Sequence, residues 1–504
     1  MKTKIIIISL LAVLLGSITS CDGFLDTMPD KRAEVNSLQK VKDLLVSAYP
    51  KSSALLMEEM MSDNRQDNGD KYSLPNNKMI QSFRWEDITD VDQDTPGYMW
   101  DGCYMIIAAA NQALVAIREL GEPEEALPYK GEALICRAYG HFLLTNVFCM
   151  AYGNDADKDL GVPYMTAPGT SIGVKYERGT LKETYEKIDK DIEEALPLIS
   201  DEAYTVPLYH FNKRAAYSFA AQFNLFYNQY EKAIKYATEA IGEDPGSLLR
   251  NMNGYSQFPS SKEYTLAFID KDEPANLMLI GALSRWGTQY TNQRYGHNRT
   301  LCEGETIWSP AAWGHLMAYD KVLGYGDQSI FVPKMDAIFE TTNAVLNTGY
   351  YRQVIFAFTS DKTLLNRAEA YILAKQYDKG VRDLQYWCKA KVAAQIPDME
   401  SLNTFYEKTV DPKTNGKPLN PKFDIESGLQ TNLLKAVLHA RRIETVHEGE
   451  RWLDIKRFGL KIWRISYCTG ISRFEKSYTD TGSSCISRYG KKSQIIKPLK
   501  NEDL

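Results

Sequence analysis

The apolar residues of this chain follow a helical period over most of its length. Between residues 181 and 199 they recur every three or four positions, which places them on one stripe of an α-helix. They are Leu181, Tyr185, Ile188, Ile192, Leu196 and Ile199. Thr180, with Glu183 three residues later, predicts a capping box at the start of this helix. The pattern recurs at 104–120 and 131–150, whereas the best strand-like run is 350–358. We therefore predict a mainly α-helical fold with minor β structure between residues 38 and 460.

Two copies of a short motif indicate a repeat. Residues 228–232 read NQYEK, and residues 375–379 read KQYDK. Each copy ends one apolar, alanine-bearing helix and begins another. In the first copy, small residues and a terminal proline occupy the positions expected for a tetratricopeptide unit of about 34 residues. They are Ala221, Ala233, Ala240 and Pro245. The repeat predicts a scaffold of tetratricopeptide-like helical hairpins.

A long irregular segment separates the two copies. Residues 246–360 are rich in Gly, Asn, Ser and aromatic residues, and their helical periodicity is weak. In a compact protein, a segment of this kind is usually functional or a separate subdomain. We therefore divide the folded chain into an N-terminal helical part (38–245), an irregular, loop-rich and aromatic-rich part (246–360) and a C-terminal helical part (361–504).

The N-terminal residues have the features of an export signal. Two lysines precede an apolar stretch at residues 5–18, which is shorter than the ~20 residues that a membrane span needs. The stretch ends in Ile-Thr-Ser before Cys21, a pattern that resembles a bacterial lipobox. We expect residues 1–20 to be a lipoprotein signal peptide, Cys21 to carry the lipid, and residues 21–37 to form a tether. A plain cleaved signal with an incidental cysteine is the alternative.

Composition and charge exclude several classes of protein. Apolar residues make up 44% of the chain, which excludes wholesale disorder. The net charge is −6 and there is no long Lys/Arg run, so nucleic acid is not an expected partner. Four of the eight cysteines lie in apolar helical patterns and are predicted to be buried free thiols. They are Cys103, Cys136, Cys149 and Cys388. Cys468 and Cys485, in a Gly/Ser-rich tail, are either bridged or free.

The most specific signal lies in the last helical block. Residues 441–459 read RRIETVHEGERWLDIKRFG. Together with Cys21 and the Phe-Leu-Asp at 24–26, this block resembles the SusD/RagB family of Bacteroidota outer-membrane lipoproteins. The family residues that this chain retains are Arg441, Arg442, Glu444, Glu448, Gly449, Arg451, Asp454, Arg457 and Gly459. An early W-x-x-x-Y…N-x-x-L helix at 100–114 and an AEA helix at 368–370 strengthen the resemblance. The chain departs from the family pattern at Thr445 and His447 and lacks the usual closing proline and asparagine pattern, which indicates a divergent member or a chain that ends early.

The resemblance implies a function in nutrient uptake. Members are surface-exposed lipoproteins, lipid-anchored in the cell outer membrane, that bind a glycan or a peptide and deliver it to a SusC-like TonB-dependent transporter. The resemblance implies binding without catalysis, and we expect no cofactor and no metal. A tetratricopeptide-type scaffold lipoprotein that binds peptides or proteins is the alternative.

The carboxylates of the motif admit a catalytic interpretation. Glu444, Glu448, Glu450 and Asp454 could supply the acid pair of a glycoside hydrolase. The arginines interleaved with them at helical spacing favour an ion-paired structural network instead, in which Arg451 can serve two of them. The HEGER sequence lacks the second histidine of a zinc protease, and the polar loop at 62–77 lacks the acids of a calcium loop.

The candidate ligand residues are aromatic side chains beside polar ones. Pyranose rings pack their C–H faces on Trp and Tyr, while their hydroxyls bond to Arg, Asn and Asp. In the irregular segment this favours Trp286, Tyr290, Arg285 and Asn292, and elsewhere it favours Asp63, Asn64, Arg65 and Trp85. Core packing is the alternative for every aromatic, and it is the expected role of Trp308, Trp313, Trp100, Trp387 and Trp452.

Overall fold

The computed structural model describes residues 35–69, 71–72, 74–169, 174–291, 294–315, 317–321, 323–325, 329–392, 395–411, 413–468 and 471–477. The predicted signal peptide, Cys21, most of the tether, Asn292 and Cys485 lie outside these residues, as does the Cys468 side chain. The interpretations placed on them therefore stay predictions.

The first half of the described chain is helical. Its helices are Leu38–Leu45 (α1), Leu55–Met61 (α2), Asn77–Arg84 (α3), Pro96–Glu119 (α4), Leu127–Phe148 (α5), Leu181–Ala195 (α6), Lys213–Phe226 (α7) and Tyr230–Ile241 (α8). At the start of α6 the Thr180 hydroxyl accepts a bond from the Glu183 N–H, and the Glu183 carboxylate accepts one from the Thr180 N–H. The predicted capping box is confirmed, because these two donors would otherwise lack an intrahelical partner.

The helices become short and strands appear in the middle of the chain. The helices here are Ser261–Phe268 (α9) and Arg299–Gly304 (α10). The first strand, Gln66–Asp67 (β1), lies earlier in the chain, after α2. The other strands are Asn276–Leu283 (β2), Tyr295–Gly296 (β3), Gly324–Tyr325 (β4), Ile330–Phe331 (β5), Ile338–Asn343 (β6) and Thr348–Thr359 (β7). β7 lies between β2 and β6 in an antiparallel sheet and contains the predicted strand at 350–358. β1 pairs with β3, so the polar loop after α2 is joined to the irregular segment.

The C-terminal part returns to helices. They are Ser360–Leu373 (α11), Tyr377–Lys391 (α12), Met399–Lys408 (α13), Leu429–Glu444 (α14) and Arg451–Phe458 (α15), followed by the antiparallel strands Trp463–Cys468 (β8) and Ile471–Ser477 (β9). The RRxE…EGxR motif forms the end of α14, the turn and the start of α15. Gly449 in that turn has φ +79°, and a Cβ there would lie 3.1 Å from the Leu55 carbonyl oxygen. The turn packs on α2 because glycine allows this approach.

The two copies of the repeated motif form the same turn. Asn228 between α7 and α8 has φ +62°, and the matching Lys375 between α11 and α12 has φ +61°. Gly380 follows in α12 at the position that Ala233 has in α8, and a Cβ on it would lie 2.7 Å from Ile372. Small residues at this position therefore let the two helices of each hairpin touch, as the tetratricopeptide pattern predicts.

One apolar core runs through the helical parts and the sheet. Cys103, Cys136, Cys149 and Cys388 are buried and free, which confirms the sequence prediction, and Cys302 is a further buried thiol. Trp313, Trp387 and Trp452 are also buried, whereas Trp100 is half-buried. By length and composition α4 could cross a membrane, but half of its apolar window is buried within the fold.

Candidate functional site

The carboxylate of Asp63 anchors the polar loop to the C-terminal motif. It accepts bonds from Arg451 Nε at 2.8 Å and Nη2 at 3.0 Å, and from Lys417 Nζ at 2.6 Å. Arg442 donates to the Asp63 carbonyl and to Asn64 Oδ1, both at 2.9 Å. Burial disfavours the charged carboxylate, yet the charges of Arg442, Arg451 and Lys417 outweigh burial and hold the pKa of Asp63 well below its usual range. Asp63 and Asn64 are thus buried structural residues, with 1% and 0% of their surface exposed to a ligand.

A second ion cluster joins the AEA helix to the motif. Arg441 Nη1 donates to Glu369 at 2.6 Å and to Asp454 at 2.9 Å, and Arg457 Nη2 donates to the other Glu369 oxygen at 2.8 Å. The four side chains are at least nine-tenths buried. The sequence suggests that Arg451 bridges Glu448 and Asp454 along one helix. The structure corrects those partners, because Arg441 pairs with Asp454 and Arg451 reaches the distant polar loop.

A third ion cluster surrounds Glu444 and Glu448 of the motif. Glu444 accepts a bond from the Trp387 indole at 2.9 Å and lies 3.4 Å from Lys391. Glu448 lies 2.5 Å from Lys334 and 2.9 Å from Lys362. Although burial disfavours its charge, the two lysines lower the pKa of Glu448 to about 2. A carboxylate held ionised and paired in this way is not available as a general acid, so the geometry favours the ion-paired interpretation of the motif.

Trp286 and Tyr290 lie in the core, which corrects the expectation that they face a ligand. They are 0% and 1% exposed. The Trp286 indole donates to the His447 carbonyl at 2.9 Å, and the Arg65 guanidinium lies 4.5 Å from the Trp286 ring centroid. Arg65 also donates to the Tyr290 carbonyl at 3.1 Å, and the Tyr290 hydroxyl donates to Asp336 at 3.1 Å. A ring covered by a cation and by neighbouring side chains has no free face for a sugar.

The remaining candidates do not assemble into one site. Arg285 is exposed on the surface, and Asn292 lies outside the described residues. Trp85 is half-buried, its indole donates to the Met61 carbonyl at 3.1 Å, and the Arg464 guanidinium lies 4.3 Å from its ring centroid. One face of Trp85 is therefore already occupied by the protein.

The polar loop at 62–77 contacts the irregular segment. This contact is needed if candidate ligand residues from both segments are to form one site. Asp67 accepts bonds from Arg294 at 2.9 and 3.1 Å across the β1–β3 ladder. The Asn298 amide donates to Asn68 Oδ1 at 2.8 Å, and Asn298 also caps α10. The two segments thus share one surface, although the residues exposed on it are not the predicted ones.

An exposed aromatic platform lies beside this junction. We define it as Trp308, Tyr325 and Arg299. The two rings are inclined by 27° with centroids 6.4 Å apart, and the Arg299 guanidinium lies 5.4 Å from the Trp308 centroid. Tyr325 is 60% exposed and Trp308 is half-buried. Trp308 was expected to pack in the core, and it is only partly buried. The available signal for Tyr325 was its position between two glycines at 324 and 326, which is typical of an exposed loop.

A separate cleft of about 640 Å³ lies along α4. We call it the helix cleft, and its lining includes Trp100, Tyr104, Met105 and Tyr176. The polar groups of its floor are satisfied within the protein: the Tyr104 hydroxyl donates to the Pro163 carbonyl at 2.9 Å, and the buried Asn111 amide donates to two backbone carbonyls. The cleft therefore presents mainly apolar surface, together with the exposed charged residues Asp101 and Lys175.

The described residues offer no metal centre. Within these ranges, no group of three or more His, Cys, Asp or Glu side chains could hold a metal ion.

Comparison with known proteins places the fold in a class. Residues 23–225 match a SusD-like family that is described as starch-binding and associating with the outer membrane. Among solved structures, a SusD-like carbohydrate-binding protein from Bacteroides vulgatus superposes with a TM-score of 0.58 at 15% identity, covering 87% of this chain and 89% of the other. A SusD superfamily protein from Bacteroides fragilis gives 0.57 at 17% identity, with 88% and 94% covered. A laminarin-binding SusD-like protein gives 0.52 at 16% identity, with 83% and 91% covered. The fold is that of the SusD-like helical proteins.

A curated relative agrees with this assignment. A SusD-like protein, P38, from Formosa agariphila is 26% identical over 292 residues, which are 54% of this chain and 52% of the relative. The chain thus spans about half the length of that relative. With the C-terminal motif, these matches confirm the resemblance of this chain to the SusD/RagB family.

Proposed function

We propose that this protein is an outer-membrane lipoprotein, surface-exposed and anchored through Cys21, that binds a nutrient glycan and delivers it to a SusC-like TonB-dependent transporter. Similarity to the SusD/RagB family and the glycan ligands named for the relatives support this proposal. The observation that carries it is the aromatic platform, where two nearly parallel rings and a guanidinium lie beside the junction of the two loops.

The platform has the chemistry of a sugar subsite. A pyranose can pack its C–H face on the exposed Tyr325 ring while its hydroxyls bond to charged groups at the edge. Arg299 and Glu303 form an exposed pair at 2.9 Å, with side chains 65% and 54% exposed. Because an exposed pair contributes at most about 1 kcal/mol, both side chains can turn to a ligand at little cost.

Substitution of the platform tests the ligand site. Tyr325→Ala and Trp308→Ala are each expected to weaken binding of a glycan ligand about three- to tenfold, because each removes one stacking surface. Laminarin and starch, the glycans named for relatives, are the first probes in isothermal titration calorimetry. Tyr209→Ala is the matched control, because Tyr209 is a 51% exposed tyrosine elsewhere on the surface. If both platform variants bind as the unsubstituted protein does, the site is wrong.

The anchor and the partner need separate tests. Cys21→Ser should release the protein from the outer-membrane fraction, because the thioether to the lipid is formed on sulfur. Affinity capture of the tagged, lipidated protein from outer membranes should recover a large β-barrel. Recovery of no barrel, with glycan binding intact, would leave a glycan-binding protein without the transport role.

Peptide or protein binding is a second candidate function, and the helix cleft favours it. Its surface is mainly apolar, and the Tyr104 hydroxyl and the Asn111 amide are satisfied within the protein, so it suits apolar peptide side chains better than sugar hydroxyls. Met105 and Tyr176, which are 60% and 43% exposed, line it. If Met105→Ala and Tyr176→Ala abolish capture of a peptide from a random-sequence library while the platform variants have no effect, this function replaces glycan binding.

A further inference from the structure

The hairpin formed by β6 and the start of β7 exposes large apolar side chains. Val345 and Leu346, in the turn at its tip, are 94% and 69% exposed. The strands behind the tip add Ile338, Phe339 and Tyr350. We call residues 338–351 the apolar hairpin. It shares no residue with the aromatic platform or the helix cleft. Exposed apolar surface of this extent marks a contact with a protein or a membrane.

The tip of the apolar hairpin and the strand residues next to it carry no charge. Residues 341–351 read TTNAVLNTGYY and contain no acidic or basic side chain. The nearest charged residues are Glu340 and Arg352, which lie behind the tip and pair with each other. Exposed edge strands normally carry charged side chains, which keep the edge in water and prevent pairing with another chain. Because β6 is the edge strand of its sheet, its lack of charge toward the tip indicates an apolar environment there.

Polar groups of the turn bond within the hairpin. Asn343 Oδ1 accepts bonds from the N–H groups of Val345 and Leu346, both at 3.0 Å. The Thr342 hydroxyl donates to the Thr348 carbonyl at 3.2 Å. Backbone groups without an internal partner are costly in lipid, where no water can replace the partner. The tip can therefore leave water without leaving these groups unpaired.

Aromatic side chains lie behind the tip on both faces of the apolar hairpin. Phe339 and Tyr351 lie opposite each other across the ladder on one face, with ring centroids 5.1 Å apart. Tyr350 lies on the other face, because successive strand residues alternate. It follows Thr348, the last paired residue before the turn, by two positions, which is about 7 Å along the strand. Interfacial elements enter a membrane by about 5–10 Å, and tyrosine rings prefer the headgroup level, so these rings lie at a suitable depth.

We propose that the tip of the apolar hairpin inserts into the lipid interface of a membrane, with Val345 and Leu346 at the acyl chains and Tyr350 among the headgroups. A stable protein interface takes about 800 Å² from each partner, whereas the exposed apolar side chains of the hairpin offer roughly 500 Å² in total. They are also divided between two faces. A protein would cover one face, but a bilayer surrounds the hairpin and needs no charged partner. This contact is additional to the lipid anchor proposed at Cys21, and it rests on that anchor only for placing the protein at a membrane.

Flotation of the mature chain with phosphatidylcholine vesicles tests the proposal. The chain carries Cys21→Ser, so the lipid anchor cannot account for binding. We expect a partition constant on the order of 10³ M⁻¹, because the tip has fewer apolar carbons than a myristoyl chain, which gives about 10⁴ M⁻¹. Val345→Asp should lower this constant at least tenfold, since it places a charge at the deepest point. Added salt should leave binding unchanged, because the contact uses no charge.

Val410→Asp is the matched control. Val410 is a 76% exposed valine elsewhere on the surface, and its substitution makes the same change in charge, so this variant should bind vesicles as the parent chain does. Tyr350→Ser should weaken binding about two- to fivefold, because it removes one ring from the headgroup level. Val345 makes few contacts in the folded chain, so Val345→Asp should fold normally, which far-UV circular dichroism checks.

Three outcomes would overturn the proposal. They are the absence of vesicle binding by the parent chain, an equal loss in Val345→Asp and Val410→Asp, and self-association of the parent chain that Val345→Asp abolishes while vesicle binding is unchanged. The last would make the hairpin a contact between copies of the chain. A partition constant on the order of 10³ M⁻¹ is too weak to retain the protein during washing of membranes. Release of Cys21→Ser from the outer-membrane fraction is therefore still expected, and the anchor and the hairpin can fail separately.

Discussion

Aromatic residues of this protein differ in what their faces and polar atoms contact. Trp286 uses its indole N–H on a backbone carbonyl and one ring face on Arg65. Tyr325 is 60% exposed on a short strand. In the sequence, Trp286 and Tyr325 both lie in the irregular segment, so the same reasoning would select either of them as a candidate ligand residue. The difference arises because the polar loop folds over Trp286, which local sequence does not report.

Trp286→Ala is expected to destabilise the protein by about 3–5 kcal/mol, because it leaves a cavity and a buried, uncovered guanidinium. Urea unfolding followed by far-UV circular dichroism, which reports on the backbone, measures the free energy of unfolding. Tyr209→Ala, at an exposed position, should change it by less than about 0.5 kcal/mol. A change of similar size in both variants would show that Trp286 is not a core residue.

At the scale of elements, the helical hairpins follow local rules. The capping box of α6 and the turn shared by both repeats are features of a few neighbouring positions, and the sequence predicts them. The platform depends instead on the pairing of β1 with β3 and on the placement of α10 and β4. Strands of two residues carry little periodicity, so the surface they build could not be predicted.

Gly380→Ala tests the close contact within the second hairpin. A Cβ there would lie 2.7 Å from Ile372 and 3.0 Å from the Ala368 carbonyl oxygen, so we expect a loss of about 1–3 kcal/mol in the free energy of unfolding. Gly97→Ala is the matched control, because nothing lies within 4 Å of a Cβ at this helical glycine. It should be neutral or slightly stabilising. Equal effects of the two substitutions would contradict the packing argument.

At the scale of the whole molecule, buried ions and buried neutral groups connect distant segments. Three ion clusters join the C-terminal motif to the polar loop after α2, to α11 and to the irregular segment. Removing one partner of such a pair leaves an unpaired charge buried in the core, which is strongly destabilising. The clusters therefore make these segments unfold together. Buried histidines add a pH dependence. Burial lowers the pKa of His141, His297 and His439 to about 3 and that of His447 well below its usual value.

These histidines should make the protein less stable as the pH falls below about 6.5. In the unfolded chain they bind protons near pH 6.5, whereas in the folded state they stay neutral, so stability is full above 6.5 and is lost toward pH 3. Glu58 and Asp361 act in the opposite direction, because their pKa values are raised to about 7 and about 6 by burial first of all. Four histidines outweigh two acids, so we expect a loss of about 1–3 kcal/mol per pH unit between pH 6.5 and 5.

Urea unfolding at pH 7.5, 6.5 and 5.5 measures this slope. In Glu58→Gln the slope should become steeper by up to about 1.4 kcal/mol per pH unit, because a group that takes up a proton in the folded state is gone. A stability that is flat or rises toward pH 5.5 would contradict the assignment of neutral buried histidines.

Periodicity, caps and the repeat were readable along the chain because each depends on residues within a few positions of one another. The resemblance of the C-terminal motif to the SusD/RagB family could be seen in the sequence for the same reason, since its residues lie within one short segment. The side chains that pair with the charged residues of this motif could not be predicted from the sequence. Arg451 bonds to Asp63 across 388 positions, and which side chain neutralises a buried arginine depends on how the chain returns to it. The exposure of each aromatic ring is likewise a property of the packed chain, so the sequence indicated a binding protein, whereas the location of its exposed aromatic surface follows from the fold.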